Sequence, residues 1–168
     1  MSDARLTRIL PWPALALIGA AVLLAIAHGF QTFGGYQPCL LCLQQRQVYW
    51  AAIAIALVLL VARRVGAPKA AAVLGWLLVL SFAAETAIAV RHAGAEWKWW
   101  PGPEGCSGVG HATAAGIARL LKASRANLPH CDVAPWRMLG LSMAGYNALA
   151  ALGLTLFCLA GATRSPGR

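Results

Sequence analysis

The sequence predicts an all-α integral membrane protein: a bundle of four transmembrane helices with a long outward loop that carries a short amphipathic helix. Three observations predict it. The 168 residues are 60% hydrophobic and only 11% charged, against roughly 25% charge in a soluble domain. The apolar residues gather in four stretches, approximately 12–30, 44–62, 70–90 and 139–162, each near the ~20 residues a helix needs to cross a bilayer. The cations cluster between these stretches. No acidic tail, low-complexity tract or internal repeat divides the chain, so residues 1–168 read as one membrane domain.

The first stretch, Trp12 to Phe30, follows Arg5 and Arg8 and contains Ala25-Ile26-Ala27, a pattern also found at signal-peptide cleavage sites. The run is long for a signal, and the next loop emerges outside under either reading. The second, Val48 to Ala62, is short unless Gln44 to Gln47 extend it; Pro38 suits a first helical turn and favours that extension. The third, Ala70 to Val90, holds Glu85, a costly carboxyl within a membrane that is read as hydrogen-bonded to a neighbouring helix. The fourth runs from Leu139 to Ala162. Membrane strands are a poor alternative, because these Ala- and Leu-rich runs lack period-two alternation and exceed the roughly 9–11 residues of such a strand. Backbone polar groups in lipid must be satisfied internally, and helices do so.

A net charge of +9 invites a nucleic-acid reading, which its distribution rejects. Arg5 and Arg8 precede the first span, Arg63, Arg64 and Lys69 sit between the second and third, and Arg164 and Arg168 follow the fourth. By the positive-inside rule both termini face the cytoplasm and the loops at approximately 31–43 and 91–138 face out. The longer loop carries its own cations, Arg91, Lys98, Arg119, Lys122, Arg125 and Arg137, but long loops weigh little in that rule. Within it, Ile117, Leu120, Leu121 and Leu128 against Arg119, Lys122 and Arg125 fit a helix lying on the membrane surface. Trp97, Trp99, Trp100 and Trp136 read as anchors at the outer interface.

The chemistry lies in the cysteines. "PCLLCLQQR", residues 38–46, sets Cys39 and Cys42 in the first turn of the second helix, with Cys42, Arg46 and Tyr49 within about 80° of Cys39 on one face. Helix N-termini and nearby cations favour the reactive thiolate, and Arg46 cannot lose its charge. Alone, Arg46 could simply snorkel to headgroups. Haem attachment would need a histidine where Leu43 stands. Cys39, Cys42, Cys106 and Cys131 could ligate zinc, but thiols outside the cytoplasm tend to become disulfides. Cys106, in "PGPEGCSGVG", and Cys131, in "LPHCDVAPW", would close a loop. That pair is either a plain stabilising bridge or an exposed, labile one. Cys158 lies near the cytoplasmic end of the fourth span, too far to join the others, and reads as a small buried hydrophobe.

Two outward pairs suggest a relay of thiolate attacks on disulfides. In the absence of haem ligands, a flavin fingerprint or iron–sulfur spacing, its terminal acceptor is expected to be a lipid-soluble quinone that Cys42 meets at the membrane edge. Arg46 would stabilise charge developing on the quinone oxygen.

These residues resemble the disulfide bond formation protein B (DsbB) family, quinone-coupled oxidases of the bacterial inner membrane. The likeness covers nearly the whole chain. It is carried by "PCLLCLQQR", by Cys106 and Cys131, by "WRMLGLSM" at 136–143 and by "EWKWWPGP" from Glu96. It implies redox-active disulfides Cys39–Cys42 and Cys106–Cys131. Cys106 would form a mixed disulfide with a periplasmic thioredoxin-fold oxidase like DsbA, and Cys131 would then exchange with Cys39. Cys42, Arg46 and His92 would face ubiquinone or menaquinone. Glu85 has no counterpart in that pattern. The vitamin K epoxide reductase-like proteins share the bundle and the Cys-x-x-Cys, but their loop pair precedes that motif and here it follows. A metal-binding protein or a disulfide-stapled structural subunit are the non-enzymatic alternatives.

Overall fold

A computed structural model describes residues 11–102 and 131–164. Four helices, α1 (Trp12–Thr32), α2 (Leu40–Arg64), α3 (Pro68–Glu96) and α4 (Met143–Arg164), are each long and apolar enough to cross a membrane. α3 packs chiefly against α4 and α2, and α1 lies against α2 and, over less of its length, α4.

Local chemistry sets the helix ends. α1 opens with prolines at Pro11 and Pro13, whose fixed φ suits a first turn, and continues unbroken through Ala25–Ala27. α2 and α3 are joined by a tight connection in which Gly66 takes φ +69 and Ala67 N–H donates to the Ala62 carbonyl. This is the left-handed helix stop that glycine permits, and Pro68 then starts the next helix.

The packing is that of a bundle in lipid. Its interior is rich in small side chains around Leu59, Leu78 and Phe82, with Ala16, Ala20, Ala56, Ala89 and Ala151 all at 0% exposure, while many large aliphatics such as Val22, Val58, Val61, Leu80 and Leu156 point outward. In water this order would be inverted. In lipid it is expected, because helices gain from close backbone approach and lose nothing by leaving Leu and Val against acyl chains. Trp12 occupies the seam between helices: a Cβ on Gly161 would come within 2.5 Å of its ring, and the Arg63 guanidinium stacks 5.3 Å from its centre. Arg63, Arg64 and Arg164 thus share one end of the bundle with Trp12, opposite the end where α3 finishes and α4 begins.

Three boundaries differ from the sequence expectation by four residues or more. α2 starts at Leu40 rather than 44, and Pro38 precedes the helix instead of sitting in its first turn, because Cys39 is the N-cap and its sulfur accepts from Cys42 N–H at 3.4 Å. α3 runs to Glu96 rather than 90, because His92 and Glu96 are buried against the bundle. α4 starts at Met143 rather than 139, because residues before it form a hairpin. There β1 (Arg137–Met138) pairs antiparallel with β2 (Leu141–Ser142), and Leu139 and Gly140 between them both take positive φ, as the favoured two-residue hairpin turn requires. Cys106 and the amphipathic helix expected between it and Cys131 lie outside the described residues, as do Arg5, Arg8 and Arg168.

Candidate functional site

The N-terminal end of α2, the C-terminal ends of α1 and α3 and the beginning of α4 surround a cavity of about 900 Å³. Its size is that of a small-molecule site. The side walls are apolar, with Leu23, Leu24, Ile26, Phe30 and Ala150 among them, and polar groups gather at definite places: Cys39, Cys42, Gln45, Arg46, His92 and Glu96 toward one end, Tyr49 and Asn147 further along α2 and α4.

Cys39 is the centre of the polar end. Its sulfur lies 3.0 Å from Cys42 Sγ and 3.6 Å from His92 Nε2, and both cysteines are free thiols. A disulfide bond is about 2.05 Å long, so joining the two sulfurs asks for a movement of about 1 Å. The hydrogen bond to Cys42, with burial next, holds the Cys39 thiol above the ordinary thiol range. Cys39 is 4% exposed, whereas Cys42 is half-buried and opens on the cavity.

Arg46 lies one helical turn beyond Cys42 on the same face, as its spacing dictates. It does not reach outward to headgroups: its guanidinium donates to Gln31 Oε1 and, at 3.0 Å, to the Ala27 carbonyl, both on α1. The charge is thereby fixed in the cavity wall beside the thiols.

His92 and Glu96 stand four apart on α3 and both turn inward, with His92 Nε2 3.8 Å from Glu96 Oε1. Glu96 also accepts from the Ser142 hydroxyl, whose oxygen in turn accepts the Gly145 N–H at 3.1 Å. A buried acid is thus tied to the first turn of α4, and the hairpin that precedes α4 is what delivers Ser142 to it. Gln45 is buried on α2 and its Nε2 has no partner among the described residues, nor does His92 Nδ1. Gln45, Glu96, Ser142 and Asn147 are absent from the sequence-derived site. The i,i+4 spacing of His92 and Glu96 at the end of a span was the one available signal for any of them.

Cys131 is fully buried and disulfide-bonded. It packs in one apolar cluster with Cys39 and Leu41, against which Cys42 and Ile88 also rest. The exposure that the sequence suggests for the loop pair therefore does not extend to this member. Its neighbour Asp132 is held to the end of α3, where Lys98 Nζ donates to the Asp132 carboxylate at 2.7 Å and to its carbonyl at 2.8 Å. Cys158 is buried in the other cluster, among Leu59, Ala62 and Ala71. Trp136 sits tilted between Phe30 and Tyr146, with ring centres 5.4 and 6.3 Å away, and lines the cavity rather than standing free as an anchor. Trp99 and Trp100 are exposed, as interfacial anchors would be.

Chemically, the site offers a buried dithiol, a fixed cation, a histidine and a buried acid at the mouth of an apolar cavity. The ligand atoms of Cys39, Cys42 and His92 lie within 4.8 Å of one another, close enough to hold a soft cation. The four-cysteine zinc set differs, since Cys131 is disulfide-bonded and has no thiolate to give.

Comparison with known proteins agrees with this chemistry. The family model described as "Disulfide bond formation protein DsbB" matches residues 9–161. Disulfide bond formation protein B of Methylococcus capsulatus is 33% identical over an alignment of 155 positions that covers 86% of this chain and 88% of its own. No solved structure matches the chain.

Proposed function

Because the chain belongs to the family of disulfide bond formation protein DsbB, we propose that it is a thiol:quinone oxidoreductase of the bacterial inner membrane, reoxidising a periplasmic DsbA-like partner and passing the electrons to ubiquinone or menaquinone. The DsbA–DsbB–quinone route is itself the known instance of a periplasm kept oxidising kinetically. The observation that carries the reading is the contact set of Cys39: Cys42 on its cavity side, His92 against it, and Cys131 packed in its own cluster.

In this reading the partner's two thiols reduce the Cys106–Cys131 disulfide through a mixed disulfide at Cys106. Cys131 then attacks Cys39 of an oxidised Cys39–Cys42 pair, and a second exchange restores the Cys106–Cys131 bridge. Each exchange forms one S–S bond and breaks another, so no electrons are lost until the reduced Cys39 and Cys42 are reoxidised. The quinone supplies that step, taking two electrons and two protons as the S–S bond forms and leaving as quinol. The apolar walls, the cavity size and Gln45 Nε2 and His92 Nδ1, which have no partner among the described residues, fit a flat lipid-soluble ring with acceptor oxygens. Arg46, pinned by Gln31 and Ala27 before any ligand arrives, would stabilise negative charge on a ring oxygen without reorganising. The cationic end at Arg63, Arg64 and Arg164 favours the cytoplasmic side, with the thiols periplasmic. Residues 1–168 act in this reading as one membrane domain.

The test uses purified full-length protein, a reduced thioredoxin-fold dithiol and a short-chain quinone. Quinone reduction is expected in the wild type and lost in Cys42→Ser. Cys131→Ser, given instead the partner in its disulfide form, is expected to accumulate a covalent adduct in which the Cys106 thiol has attacked that disulfide and released one partner thiol. Turnover retained in Cys42→Ser refutes the assignment.

A further inference from the structure

Glu85 is unexplained by the chemistry above. It sits in the middle of α3 at 0% exposure, and a carboxyl at that depth is costly enough to be functional by default. It touches none of the cavity's thiols. Its Oε1 accepts from Asn147 Nδ2 at 2.8 Å, and Asn147 Oδ1 accepts from the Tyr49 hydroxyl at 2.7 Å. Tyr49 and Asn147 line the cavity, whereas Glu85 lies behind them. Three helices therefore contribute to one hydrogen-bonded chain, Tyr49 from α2, Asn147 from α4 and Glu85 from α3, running from the cavity wall into the bundle.

That chain determines what Asn147 presents. With the Tyr49 phenol donating and the Glu85 carboxyl accepting, the amide oxygen faces Tyr49 and its nitrogen faces Glu85. One Nδ2 hydrogen is consumed by Glu85. The second remains, on a half-buried side chain that borders the cavity.

A para-quinone has two ring oxygens on opposite edges. One alone can meet Arg46 and the thiols. Tyr49 is seven residues beyond Cys42 on α2, about 10 Å along the helix axis, so the polar pair it forms with Asn147 lies on the inner side of the ring's position. We propose that Asn147 is the anchor for the second, inner oxygen of the quinone, and that Glu85 and Tyr49 are positioning residues that fix its amide. This rests on the quinone reading above and adds to it a recognition element at the other end of the ring. No proton or electron moves in this contact: Asn147 N–H donates to the carbonyl of the oxidised ring, and the Tyr49 oxygen, with a free lone pair, accepts from the hydroxyl of the reduced one. The site then selects rings with two opposed oxygens over rings with one.

The experiment measures equilibrium binding, independently of turnover. Full-length protein in detergent is titrated with a short-chain para-benzoquinone and with a matched ring bearing a single carbonyl, following quenching of tryptophan fluorescence. The wild type is expected to prefer the two-carbonyl ring about tenfold, the worth of one hydrogen bond to an otherwise unpaired oxygen. Asn147→Leu should lower that ratio to near one while leaving the single-carbonyl ring bound as before. Tyr49→Phe, which removes only a hydroxyl and should fold, is expected to lower the ratio severalfold. Glu85→Leu should do the same and Glu85→Gln should restore it, since the Gln oxygen can still accept from Asn147; a purely structural role for Glu85 would change stability without changing the ratio. A wild-type ratio near one, or a ratio unchanged in both Asn147→Leu and Tyr49→Phe, overturns the anchor and leaves the quinone reading standing. Failure of the wild type to bind either ring removes both.

Discussion

Cys39 and Cys42 are three residues apart and in contact, yet their surroundings differ enough to separate their reactivity. Cys39 caps a helix, is buried, and is held above the ordinary thiol range by its neighbour's hydrogen bond, whereas Cys42 opens on the cavity. Since a raised thiol pKa keeps the sulfur protonated at and above the pH where a free thiol would ionise, Cys39 should stay largely thiol up to about pH 9. A small apolar alkylating agent added to reduced protein at pH 7–9 is expected to modify Cys42 at least tenfold faster than Cys39, read by mass spectrometry of the peptides; equal rates would contradict the assignment of environments. Arg46 gives a second prediction at this scale. Removing one preorganised charge-stabilising donor typically costs 10²–10³-fold in rate, so Arg46→Ala should lower quinone kcat/KM by about that factor. Gln31→Ala, which frees the guanidinium on one side only, should cost less, about tenfold. Cys39, Cys42 and Arg46 were legible in the sequence because one helix carries all three at helical spacing. Gln45 had no chemical signature of its own, and Asn147 reaches the cavity, and Ser142 reaches Glu96, only through the docking of α4 on α3, which no local pattern encodes.

The helices as a class were visible in the composition, but their outer ends were not. Hydropathy marks where apolar residues stop, and α3 continues past that point because its polar last turn finds partners: Glu96 with Ser142, and the Arg91 carbonyl with Trp100 Nε1 at 2.8 Å. The chain then folds back so closely that a Cβ on Gly94 would overlap the Trp100 ring. Gly94→Ala must displace that indole and is expected to destabilise the protein by about 1–3 kcal/mol, visible as a fall in thermal midpoint in detergent, while Gly29→Ala, where nothing lies within 4 Å, should not. The start of α4 was misplaced for a similar reason. Leu139 and Met138 look like the head of an apolar span, but Gly140 at φ +83 beside Leu139 at φ +50 turns the chain instead. Replacing Gly140 by Val should strain this turn by about 1–2 kcal/mol. Because the hairpin delivers Ser142 to Glu96, the same change should also weaken quinone binding in a displacement assay.

At the scale of the whole molecule, alanine inside and valine and leucine outside identify the solvent as lipid, and the four-span bundle expected from composition is present. Among the described residues the cysteine sulfurs divide between two ends: Cys39, Cys42 and Cys131 in one cluster, Cys158 in another with Leu59 and Ala62. In intact spheroplasts, after reduction and mild opening of the bundle, a membrane-impermeant maleimide is expected to reach the first group from outside and never Cys158. Labelling of Cys158 under those conditions would reverse the topology. The loop between Cys106 and Cys131 belongs to this scale as well, since its sequence names the two sulfurs but the depth of Cys131 arises from its packing on Leu41 and Cys39.

That burial has a consequence for traffic in electrons. With Cys131 at 0% and Cys39 at 4% exposure, a small soluble thiol such as glutathione finds no open sulfur along the middle of the route. In the proposed function only a partner shaped to engage the outer loop would load it, and only a guest that enters from the lipid would unload it, so the oxidising equivalents would be kept from leaking into the surrounding thiol pool.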